Sequence, residues 1–117
     1  MVTAVRSTID LKHSILSILS NHVGRNNPIK AVRLAEMLDC SKTNTFAIRD
    51  AIAELIREGH PIISSTSQPE GYYLANTYQE VSDYCQSLKD RGIKIIIRRR
   101  DVKRAALHYF NGQRRLF

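Results

Sequence analysis

Apolar residues at Ile48, Ala51, Ile52 and Leu55 recur at steps of three and four, the spacing of one buried stripe along an α-helix. The spacing predicts a helix over residues 41–59, with Ser41, Thr43 and Asn44 available to cap its start and Gly59 followed by Pro61 to stop it. The side opposite the stripe carries Lys42, Phe46, Arg49, Asp50 and Arg57. After Gly59 the pattern changes to short alternating runs, in which Ile62 and Ile63 face Tyr72, Tyr73 and Leu74 across a polar loop, as in a β-hairpin. Tyr72 and Leu74 are expected to turn inward and the serines to be exposed. A core-docked helix with a free polar face and a hairpin beside it has the layout of a device for reading a groove.

Upstream, Leu11, Ile15, Leu19, Ile18 and Val23 form the inward stripe of a helix beginning near Ser7 or Thr8, after a short N-terminal stretch, residues 1–6, that is expected to fray. Residues 24–28 break that helix. Ile29 makes a short strand, and residues 31–38 form a second helix packed through Leu34, Ala35 and Leu38. Asp39, Cys40 and Ser41 then turn into the central helix, and two helices joined by a short polar turn have helix-turn-helix spacing.

The last segment contains conflicting signals. Thr77 and Glu80 stand at capping-box spacing, whereas Gly92 weakens a helix and the β-branched residues of the run Ile93, Lys94, Ile95, Ile96, Ile97 favour a strand. Yet Tyr78, Val81, Cys85, Leu88, Gly92, Ile95, Arg99, Val102, Ala106 and Tyr109 keep alternating steps of three and four, so one helix is predicted. At about 30 residues it would be roughly 45 Å long, more than a globular body of this size requires. Its apolar stripe, Val81, Leu88, Ile95 and Val102, is therefore expected to serve homodimerisation rather than to fold back on the body. Arg99 and Gly92 at inward positions make it an imperfect coiled coil. The fold class is mainly α with a small β-hairpin, organised as residues 1–76 and a C-terminal helix in residues 77–117.

Charge sharpens this division. The net charge of +7 favours a polyanionic partner, since clustered Lys and Arg release counterions on meeting phosphates. Residues 1–88 hold eight Lys and Arg against nine Asp and Glu, while residues 89–117 hold ten against two, so the excess lies in the tail. Within it, Arg98, Arg99 and Arg100 are expected to bind phosphate, although three consecutive side chains spread over most of a helical turn and cannot all face one groove. The 117 residues suit one modest core, and no apolar run reaches the roughly 18 to 20 residues of a membrane span or forms a signal-peptide core. A cytoplasmic protein with no membrane partner is expected. Cys40 and Cys85 suggest neither a disulfide scaffold nor a zinc site. His13, His22, His60 and His108 lie apart without a catalytic motif, so the expectation is no enzyme, no metal and no cofactor.

The order of helix, short strand, helix, central helix, hairpin and tail helix resembles a winged helix-turn-helix. In particular, Ile56-Arg57-Glu58-Gly59-His60-Pro61-Ile62-Ile63-Ser64-Ser65 followed by Gly71-Tyr72-Tyr73-Leu74-Ala75 is similar to the hairpin of small winged-helix proteins of bacteriophages, prophages and mobile elements. The resemblance covers about residues 8–90. It implies a central helix in the major groove of double-stranded DNA and a hairpin flanking it as a wing. Carried over, Lys42, Asn44, Thr45, Phe46, Arg49 and Asp50 lie nearest the bases, and Lys30 and Arg33 approach phosphate. Arg49 would donate two hydrogen bonds to guanine, and Thr45 or Phe46 would touch a thymine methyl. Phe46 has a second reading, as packing against the preceding turn. The tip, Thr66-Ser67-Gln68-Pro69-Glu70, departs from the pattern, lacking a Lys or Arg and carrying an acid.

The expected function is a sequence-specific DNA-binding regulator of phage or mobile-element type, acting as a homodimer. The alternative is a protein-interaction scaffold in replication or packaging with a nonspecific basic tail, supported by the near-neutral body and by Asp50, Glu54 and Glu58 along the central helix. A protein partner would then dock on the C-terminal helix. An architectural or recombination-directionality binder shares the contacts of the first reading and adds DNA bending.

Overall fold

A computed structural model describes residues 8–38 and 45–111. The chain is mainly helical, with α1 (Thr8–Leu19), α2 (Ala31–Met37), α3 (Thr45–Arg57), the strands β1 (Ile62–Ser65) and β2 (Gly71–Leu74), and α4 (Tyr78–Asn111). Two compact units divide it, Met1–Val81 and Ser82–Phe117. The N-terminal stretch at 1–6, the turn at Asp39, Cys40 and Ser41, and Lys42 and Asn44 lie outside the described residues.

The core of the first unit follows the apolar periodicity. Ile48, Ala51, Ile52 and Leu55 of α3 are all buried, and they pack with Ile15 and Leu19 of α1 and Leu34, Ala35 and Leu38 around α2. Ile15, Leu19, Leu34 and Ile48 are wholly enclosed. Each such side chain contributes about 1.5 to 3 kcal/mol by leaving water. Val23 departs from its expected place: α1 ends at Leu19, four residues earlier in the chain, and Val23 instead bridges to Leu74 and stays 40% exposed.

Helix ends use local chemistry. Gly59 has φ +109°, and its N–H donates to the Ile56 carbonyl at 3.0 Å while that of His60 donates to Leu55 at 3.1 Å. The paired bonds form a Schellman cap, whose left-handed residue suits glycine. At the start of α4 the Glu80 N–H donates to Thr77 Oγ1 (3.2 Å) and the Thr77 N–H to Glu80 Oε1 (3.4 Å), the reciprocal bonds of a capping box. The β-branched run from Ile93 to Ile97 remains helical within α4.

β1 and β2 pair antiparallel, with Ile62 opposite Leu74, Ile63 opposite Tyr73 and Ser64 opposite Tyr72. The outer edge of β2 is occupied by the α1–α2 connection. Ile29 and Tyr72 exchange backbone hydrogen bonds at 2.9 and 2.8 Å, the Gly24 N–H donates to Leu74, and the Leu74 N–H donates to His22. This edge is therefore no template for a further strand. Gly71 makes the crossing feasible: at φ +136°, a Cβ there would stand 2.6 Å from the Ile29 carbonyl oxygen. The expected hairpin faces require one correction. Tyr72 and Leu74 pack against the core but remain half-buried, whereas Tyr73, paired with Ile63, is the deeply buried tyrosine. Both faces of the hairpin carry buried residues, and Ser64 and Ser65 are half-buried rather than exposed.

Candidate nucleic-acid interface

The buried stripe of α3 determines what its other side presents. With Ile48, Ala51, Ile52 and Leu55 turned inward, Phe46, Arg49, Asp50 and Arg57 are exposed, Phe46 by 73%. Phe46 thus presents a large apolar ring beside charged neighbours, and the preceding turn, against which its second reading would pack it, lies outside the described residues. Thr45 is half-buried.

Two acids, Glu54 of α3 and Glu58 just after it, are engaged elsewhere. Lys12 of α1, whose side chain is only 15% exposed, reaches Glu54 at 3.3 Å and also pairs with Glu58. Its hydrogen bond with Glu58 is the chief reason that the ammonium is held above the ordinary lysine value; desolvation opposes it, and the hydrogen bond with Glu54 adds to the rise. The acids that favoured the scaffold reading thus engage α1, and Asp50 remains beside Arg49.

Between α3, the start of α2 and the hairpin lies an open groove of about 330 Å³. Lys30 and Arg49 line it together, although they are far apart in sequence, and Ser64, Ser65, Glu70 and Tyr72 share the lining. Two cations and the hydroxyls of serine and tyrosine suit a phosphodiester backbone or a base edge, because each can donate to phosphate or base acceptors. Glu70 stands within the same lining and limits its positive character. Arg33 is not among the lining residues; it lies 3.4 Å from Glu36, one turn along α2. The serines were not singled out from the sequence as contacts. Their only signal was their place in β1, directly across from Tyr72 and Gly71.

Behind this surface, Glu80 ties the connections together. Its carboxylate accepts the N–H groups of Asn76 (2.7 Å) and Arg25 (2.9 Å) in addition to that of Thr77. These bonds, that of Asn76 first and that of Arg25 second, hold its pKa below the ordinary carboxylate value.

In the second unit Arg98, Arg99 and Arg100 are exposed, and Arg100 forms an ion pair with Asp101 at 3.2 Å. Leu88, Ile95 and Val102 are 45%, 69% and 57% exposed, and α4 has no buried residue. Cys85 on the same stripe is a free, exposed thiol. Among the described residues no group of His, Cys, Asp and Glu is arranged to hold a metal ion, and no helix is long and apolar enough to cross a membrane. No family model, curated protein or solved structure matches this chain.

Proposed function

We propose that the chain is a sequence-specific double-stranded DNA-binding protein, a winged helix-turn-helix in which α3 enters the major groove and the hairpin flanks it. The observation that carries this reading is the convergence of Lys30 and Arg49 on one open groove beside the exposed Phe46, with Glu54 and Glu58 drawn away to Lys12. In this reading Arg49, Phe46 and Thr45, with Lys42 and Asn44 preceding them, meet base edges, while Lys30 and the hairpin hydroxyls hold the backbone. The tail arginines add attraction that is indifferent to sequence. A homodimer formed through α4 would present two such surfaces. The phage or mobile-element regulator role rests on the resemblance of the hairpin sequence.

Chemical-shift mapping with a duplex tests the proposal. Perturbations at Lys30, Phe46, Arg49 and Ser64 are expected. Changes confined to residues 89–117 would instead favour the scaffold reading, which Glu70 in the groove also supports.

A further inference from the structure

We propose that α4 pairs with α4 of a second copy in antiparallel orientation, with the two-fold axis passing between Ile93 and Lys94. The inference rests on the homodimer part of the function above and not on DNA binding.

Leu88, Ile95 and Val102 recur every seven residues, and Cys85, Gly92 and Arg99 recur beside them, so together they trace a coiled-coil seam on one helix face. Among the described residues of its own unit this face is open. Leu88, Ile95 and Val102 are exposed, and nothing lies within 4 Å of a Cβ built on Gly92.

Charge then separates the two ways in which a second copy fits. Residues 82–93 hold two Lys and Arg against two Asp, whereas residues 94–105 hold six against one. A parallel pair sets the strongly basic half beside its own copy along its whole length, which is repulsive. An antiparallel pair sets each basic half against a neutral one.

The seam agrees. In a parallel, in-register pair Arg99 abuts the partner's Arg99 within the seam, and Gly92 faces the partner's Gly92 across a gap. In the antiparallel register Gly92 receives the partner's Ile95, Cys85 meets the partner's Val102, and Leu88 lies under the methylene stem of the partner's Arg99, whose guanidinium extends to water. Large side chains meet small ones, and no arginine faces its copy in the seam.

The test uses the full chain with Cys40→Ser and Cys85→Ser and a spin label at either Ser87→Cys or His108→Cys. Dipolar distances are measured alongside molar mass in solution. In the antiparallel pair each residue of offset from the axis adds about 3 Å of separation along the helices, giving about 30 Å at position 87 and about 45 to 50 Å at position 108 once the helix diameters are included. Dimer mass with these unequal distances is the expected result. Dimer mass with nearly equal distances of about 20 to 25 Å at both positions would overturn the orientation and leave the homodimer standing. Monomer mass, with no dipolar coupling at either position and in the unlabelled wild-type chain, would overturn both.

Discussion

In the proposed groove reading, Arg49 is the residue on which specificity depends. A guanidinium offers a rigid fork of donors, so its loss should depend on the base that it reads. Arg49→Ala is expected to cost about 1 to 3 kcal/mol at the preferred site and to relax one base position, as measured by titration of site variants. An equal loss on every sequence would assign Arg49 to phosphate. Gly71 carries a structural prediction of the same sharpness. A methyl group at φ +136°, 2.6 Å from the Ile29 carbonyl oxygen, forces apart the backbone crossing that holds β2 to the α1–α2 connection. Gly71→Ala should destabilise the fold by about 2 to 3 kcal/mol in denaturant unfolding, with an unchanged midpoint as the contrary result.

Elements differed in how far their own residues announced them. The stripe of α3, the Gly59 cap and the Thr77–Glu80 box are local patterns, complete within one or two helical turns, and each was readable from spacing alone. The run of isoleucines in α4 was readable because the three-and-four register continued through Gly92 despite unfavourable propensities. The hairpin faces were less legible. Alternation separates Tyr73 from Tyr72 and Leu74, but it cannot reveal that both faces are covered, which depends on distant chain. The same applies to Lys12, which meets acids more than forty positions away, and to the meeting of Lys30 with Arg49. The extra role of Glu80 was hidden for this reason too, since its bond to the Arg25 N–H spans 55 positions.

The backbone bonds of Glu80, that from Asn76 foremost and that from Arg25 next, give α4 a pH signature. Because the folded state holds the Glu80 pKa below the ordinary carboxylate value, the ionised carboxylate stabilises the fold above that ordinary value, and the contribution fades as pH falls through the folded pKa. Glu80→Gln should therefore lower the melting temperature at neutral pH. The gap from wild type should close in acid as the pH falls from the ordinary carboxylate value through the lowered folded one. A gap unchanged across this range would show that the charge is immaterial.

At the scale of the whole molecule, the proposed reading gives the two units different tasks on account of their uneven charge. The first is nearly neutral and carries the groove; the second carries most of the excess cation and an open apolar stripe. Replacing Arg98, Arg99 and Arg100 together by glutamine should weaken binding to all duplexes alike and flatten the dependence of affinity on salt, because fewer counterions are released. Loss restricted to one preferred sequence would contradict that assignment. Specificity should then survive in the tail variant even as affinity falls.

The central claim, groove reading by α3, is tested most directly by selecting duplexes from a random pool with the purified full-length protein at near-physiological salt. The account predicts enrichment of a defined motif, with half-sites about one helical turn apart if the dimer binds, and its disappearance when Arg49→Ala is selected in parallel. Duplex binding without enrichment, unchanged by Arg49→Ala, would contradict it and leave a basic helix attached to a body that recognises something other than DNA sequence.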